Sequence, residues 1–190
     1  MNEDKIEIKS KLESIEKIKE LGLNKFAERL FKQGEEEQVE KFLEENPANY
    51  YAIRDKSKAG GIFKLKVEKD KVLEEIKDYN LFTINVSSAN YGDNQLLVGE
   101  IQIFRNGDVY MILSNKKGYS VRDAISDPDF NLKTDIFDDE NLKRIYGFNE
   151  IFKYIADHGL YDIIVEFSLF DCLVGEKMEN VVIYELRTHY

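Results

Sequence analysis

Two segments near the end of the chain carry carboxylates inside otherwise apolar runs, and burial alone does not explain them. The first is Asp162-Ile-Ile-Val-Glu166-Phe-Ser-Leu-Phe-Asp171 and the second is Val181-Val-Ile-Tyr-Glu185-Leu-Arg187. Strand side chains alternate faces, so Glu166 and Ser168 share one face, and Glu185 and Arg187 share one on the partner. Placing Glu166 opposite Glu185 sets Phe170 opposite Val181 and leaves residues 171–180 as the connection. Two like charges directly across a sheet repel. Such a pair persists when a metal ion, a shared proton or a cationic side chain neutralises it. Glu166 and Glu185 are therefore candidate metal ligands, and a purely structural pairing of Glu166 with Arg187 stands beside that possibility.

A second candidate is Arg54-Asp-Lys56-Ser-Lys58-Ala-Gly60-Gly61, followed by Lys64 and Lys66. Glycines let backbone amides approach an anion, and lysines supply point charges for phosphate. The spacing is not that of a P-loop, since no Gly-Lys-Ser/Thr occurs. A basic hairpin with a Gly-Gly connection is the plain alternative. Glu100 lies in a half-apolar strand and Arg122 in a polar stretch, where an arginine meets either a phosphate or a neighbouring acid. The acids Asp135, Asp138, Asp139 and Glu140 lack the spacing of a calcium-binding loop. Ser10, His158 and Cys172 form no nucleophile–base pattern.

The elements that must position these residues follow from periodicity. Residues 3–21 predict an amphipathic helix, and residues 25–33 and 35–46 two more, closed before Pro47. Tyr50–Arg54, Ile62–Val67 and Leu81–Val86 predict strands, with a helix over 70–78. The alternation of Ile62-Phe-Lys-Leu-Lys-Val67 places Lys64 and Lys66 on one face and Phe63, Leu65 and Val67, buried, on the other. Gln95–Phe104 and Asp108–Leu113 predict a hairpin turned by Asn106-Gly107. Residues 114–146 are irregular apart from a short helix near Ser120–Ile125, and Phe148–Asp157 predicts a helix ahead of the terminal strand pair. The expected fold class is α+β: a mostly antiparallel sheet covered by helices, with a helical segment over 1–47 and the core over 48–190, together one compact domain.

Composition narrows the classes of function. The 190 residues are 43% hydrophobic with a formal net charge of −10, which argues for a folded, acidic globule. Nonspecific nucleic-acid binding is not expected, because no net positive field is present to release counterions. The single cysteine excludes an intramolecular disulfide and a cysteine-rich zinc site. No signal peptide or membrane span is visible, so cytoplasm is the expected compartment.

Taken in order, these features resemble the catalytic core of the ATP-grasp superfamily across residues 48–190. Tyr51-Ala-Ile-Arg54, Lys56, Gly60-Gly61 and Lys64 resemble its first strand, loop and second strand. Val98-Gly-Glu100-Ile and Arg122 resemble the middle. Val165-Glu166-Phe with Ile183-Tyr-Glu185-Leu-Arg187 resembles the end, where the family has an acid and then Glu-x-Asn. Arg187 stands in place of that Asn, and an arginine cannot ligate a cation. The resemblance implies a nucleotide-binding protein: an ATP-dependent carboxylate–amine ligase forming an acylphosphate, or a non-catalytic relative. Arg54, Lys56, Gly60, Gly61, Lys64 and Glu100 would then bind ATP, and Glu166 and Glu185 would hold Mg²⁺. Arg187 and Arg122 would act on the transferring phosphoryl, and a small molecule or peptide would be the second substrate. The competing expectation is a small acidic interaction or inhibitor protein, for example from a mobile element, that covers a basic surface of a protein partner.

Overall fold

A computed structural model describes residues 7–57, 62–135 and 142–188. In chain order the elements are α1 (Lys11–Glu20), β1 (Glu28–Lys32), α2 (Glu36–Glu45), β2 (Tyr50–Asp55), β3 (Phe63–Glu68) and α3 (Val72–Glu75). They continue with β4 (Leu81–Val86), β5 (Gln95–Ile103), β6 (Asp108–Ser114), α4 (Val121–Ser126), β7 (Phe130–Asp135), α5 (Phe148–Asp157), β8 (Ile164–Val174) and β9 (Glu179–Arg187). The class is α+β, as expected, but the strands form two antiparallel sheets rather than one. The described residues gather into two compact units, one within residues 26–92 and one within residues 1–25 with 93–190.

In the smaller unit the strand order is β1-β4-β2-β3. One face carries Phe31, Tyr51, Ile53, Phe82 and Ile84, all buried, with Val39 and Phe42 of α2 and Val72 of α3. The Phe31 ring meets Phe42 edge-on at 5.8 Å and stacks with Phe82 at 5.9 Å. Residues 25–33, expected to be helical, contain β1 instead. Five residues are too few to separate a helical from a strand period, and pairing with β4 decides the outcome.

The larger unit has the order β7-β6-β5-β8-β9. Ile101, Met111, Val165, Phe167 and Ile183 line one face of the sheet, against Phe148, Ile151, Tyr154 and Ile155 of α5. Among the described residues the expected N-terminal helix begins at Lys11, where the Ser10 hydroxyl accepts from the Glu13 amide at 3.2 Å. This segment closes the open edge of β9, which would otherwise present unpaired amides. The Leu186 amide donates to Ser14 Oγ at 2.7 Å and the Ile183 amide to the Asn24 carbonyl at 2.9 Å. Strand β7 lies inside the stretch expected to be irregular. The final connection is shorter than expected, because β8 runs on to Val174.

Candidate functional site

Three glutamates stand in one transverse row. Glu100 of β5 is opposite Glu166 of β8, and Glu166 is opposite Glu185 of β9. Directly paired residues share a face, so the three carboxylates project from the side of the sheet away from α5. Two backbone features build the row. The register of β8 with β9 slips between Glu166 and Phe167, leaving Tyr184 as an extra residue. This bulge lets Ile183 face the core while Glu185 and Arg187 face Glu166. It also sets Leu169, not Phe170, opposite Val181. Beside Glu100, Gly99 has φ +146, and a Cβ there would lie 2.1 Å from the Ile112 carbonyl oxygen. Only glycine lets β5 and β6 approach so closely.

Two cationic side chains of the chain offset most of the row's charge. One Arg187 Nη donates to Glu100 Oε2 and the other lies 3.3 Å from Glu166 Oε1. Lys11 Nζ of α1 is 3.2 Å from Glu185 Oε2. The Glu100 side chain is 3% exposed, whereas Glu166, Glu185 and Arg187 retain 17%, 23% and 27%. Burial pushes the Glu166 carboxyl above the usual range and the Glu185 charge adds to this, while Arg187 pulls the other way.

This arrangement does not fit Mg²⁺ as it stands. A guanidinium lies between two of the carboxylates that would have to ligate the ion. Among the described residues, no group of three or more His, Cys, Asp or Glu side chains is placed to hold a metal.

The basic candidates lie in the smaller unit. The register of β2 with β3 slips between Tyr51 and Ile53, so that Ile53 is opposite Lys64 and Arg54 opposite Phe63. The slip reverses the alternation at the start of β3. Lys64 therefore shares the face of Ile53 and α3, where its ammonium donates to Glu75 Oε2 and its pKa is raised by that bond. Phe63, expected to be buried, moves to the opposite face and is 42% exposed, with the Arg54 guanidinium 4.8 Å from its ring centre. Lys66 lies on that opposite face too, its ammonium 4.5 Å above the Tyr50 ring. The Lys56 amide donates to the Leu81 carbonyl at 2.7 Å. Gly60 and Gly61 lie outside the described residues. Arg122 is exposed on α4, which starts in a capping box between Ser120 and Asp123.

Sequence reasoning missed Lys11, because nothing in a lone lysine of an amphipathic helix signals its partner. It also missed that Glu100 joins the pair at Glu166, since long-range strand pairing leaves no local mark. A cavity of about 810 Å³ opens in the smaller unit, lined by Glu40, Glu44, Glu68 and Asp70 among others. Its carboxylates are unsuited to a phosphate.

No protein-family model and no curated protein matches the chain. Among solved structures it is similar to an N5-carboxyaminoimidazole ribonucleotide synthetase in its ADP complex, at 11% identity and TM-score 0.48, over 95% of this chain and 44% of that one. It is similar to D-alanine–D-alanine ligase from Helicobacter pylori, at 13% identity and TM-score 0.47, over 94% and 53%. A third is the macrocyclase MdnC bound with precursor peptide MdnA from Microcystis aeruginosa, at 16% identity and TM-score 0.49, over 95% and 53%. The chain spans about half the length of these proteins.

Proposed function

We propose that the chain is an ATP-grasp-like protein that binds the phosphates of a nucleotide and is not itself a ligase. The observation that carries binding is the placement of Arg54 and Lys66 together on the face of β2 and β3 away from the unit's core. Those strands flank the basic, glycine-containing loop. Lys56, at the start of that loop, and the Gly60-Gly61 backbone would complete the phosphate contacts. Lys64 is occupied by Glu75 and would have to leave it to join them.

The lack of ligase activity rests on the glutamate row. An acylphosphate reaction of the kind the resemblance implies would use Glu166 and Glu185 to hold Mg²⁺, with Glu100 at the nucleotide and Arg122 and Arg187 at the phosphoryl. Arg187 instead pairs with Glu100 and Glu166, so no step is assigned to the metal.

A thermal-shift screen of ADP and ATP, with and without Mg²⁺, tests the proposal. Native protein should be stabilised, the Arg54→Ala and Lys66→Ala variants should lose the shift, and Lys64→Ala should keep it. Loss on Lys64→Ala alone would overturn the assignment of phosphate contacts. The acidic cavity favours a second reading, a basic protein partner, which gains support if no nucleotide shifts the native protein.

A further inference from the structure

The cavity of the smaller unit joins an acidic rim to an apolar floor. Glu40 and Glu44 stand a helical turn apart on α2 with Leu43 on the same face, and Glu68 and Asp70 rise where β3 leads into α3. Against these four carboxylates the described lining holds a single ammonium, that of Lys69. Other acids of the unit have cationic partners: Glu45 lies beside Arg29 and Lys41, Glu74 beside Lys71 and Glu75 beside Lys64. The four rim carboxylates make no hydrogen bond or ion pair within the described residues. Leu43, with the half-buried Tyr50 and Leu73, supplies the floor. The walls are fixed by the chain itself. The Tyr51 hydroxyl donates to the Asn46 carbonyl at 2.8 Å and accepts from the Ala48 amide at 3.1 Å. Asn90 Oδ1 accepts from the Asn49 and Tyr50 amides at 3.1 and 2.9 Å, and the Lys69 amide donates to the Asn49 carbonyl at 3.2 Å. A groove held open in this way loses little free energy to ordering when it is filled.

We propose that this groove docks a basic segment of a partner protein, which lays an apolar side chain on the Leu43–Tyr50–Leu73 floor and sets lysines or arginines among the four carboxylates. The charge of the rim selects the sign of the occupant, and the floor selects a peptide over a bare polycation. A polyamine would answer the carboxylates and leave the floor in water, whereas a neutral apolar segment would leave the rim without counter-charge. The volume of about 810 Å³ lies within the range of about 300–1,000 Å³ that encloses a drug-sized ligand, so it admits more than one side chain. The rim is exposed, so its contribution is screened by salt, while that of the floor is not. The inference rests on the reading of a basic protein partner, to which it gives a docking place and a chemistry, and its test uses no nucleotide.

The probe is a short fluorescein-labelled peptide in which leucines alternate with lysines and arginines, titrated with the full chain and followed by fluorescence anisotropy. Saturable one-to-one binding that weakens with added salt is expected. The double variant Glu44→Gln with Glu68→Gln should bind about tenfold more weakly. A control double variant, Glu150→Gln with Glu176→Gln, removes the same charge from the larger unit and should change the affinity by less than about twofold. All four glutamates are exposed, so neither variant disturbs a core. A peptide with serine in place of leucine should also lose about tenfold, because the floor is then left uncovered. Equal weakening in the two double variants would keep a basic partner and overturn the groove as its docking place. A serine peptide that binds as well as the leucine peptide would overturn the role of the floor, and with it the choice of a peptide. No saturable binding at millimolar concentration would overturn both the groove and the basic partner.

Discussion

Glu100 and Arg187 sit on strands that are not neighbours, yet their side chains form an ion pair across the whole width of β8. The pair depends on Gly99 on one side and on the Tyr184 bulge on the other, so the backbone of three strands is committed to it.

Stability should depend strongly on this guanidinium. Replacing Arg187 by Met removes the guanidinium from the buried Glu100, and breaking a buried pair on one side costs about 3–5 kcal/mol. Lys11→Met removes a more exposed pair with Glu185 and should cost less than about 1 kcal/mol. Urea unfolding of the two variants checks the contrast. Equal losses would mean that the row is not organised by Arg187.

The pH dependence of stability should carry the signature of Glu166. Folding raises its carboxyl pKa, through burial first and the Glu185 charge second. A raised group contributes stability that is fully present below its unfolded pKa and is lost as pH rises through the folded value. Glu166→Gln removes that titration while Arg187 keeps Glu100. Relative to native protein, the variant should therefore gain stability as pH rises from about 4, then level off once the native carboxyl has ionised. Urea midpoints measured from acid to neutral pH give the comparison, and a difference that shrinks with rising pH would be the wrong sign.

Gly99→Ala should be among the more damaging single-methyl substitutions in the larger unit. The added Cβ would meet the Ile112 carbonyl oxygen at 2.1 Å and the Leu113 Cα at 2.9 Å, both backbone atoms of β6. Relief requires the two strands to part, and a positive φ adds strain of its own. A loss of at least about 2 kcal/mol is expected, with faster amide exchange along β5 and β6. An unchanged unfolding midpoint would show that the close approach is dispensable.

The pairing of Glu166 with Glu185 was legible in the sequence because both sit in apolar runs with period-two alternation. What surrounds that pair was not. A bulge adds one residue and leaves no trace in a hydrophobic pattern, which is why Val181 and Phe63 were placed opposite or beside the wrong neighbours. The same slip in β3 separates Lys64 from Lys66, which strict alternation puts on one face. Strand β7, Phe130-Asn-Leu-Lys-Thr-Asp135, alternates weakly within polar surroundings and is fixed by its pairing with β6. Helix α5 was legible in full, since its apolar stripe is long and Gly147 and Gly159 bracket it. The α+β class followed from such elements, while the split into two sheets depended on pairings far apart in the chain.

The most direct test of the account is a calorimetric titration of the native protein with ADP and with ATP, in the presence and absence of Mg²⁺. Binding of one nucleotide per chain, lost in a variant carrying both Arg54→Ala and Lys66→Ala, is the expected result. At a hundredfold excess over the dissociation constant, that binding should add about 2.7 kcal/mol to the folded state. Because Arg187 holds the glutamate row, omitting Mg²⁺ should change the affinity by less than about tenfold, or 1.4 kcal/mol. No heat and no saturation with either nucleotide at millimolar concentration would contradict the nucleotide-binding proposal.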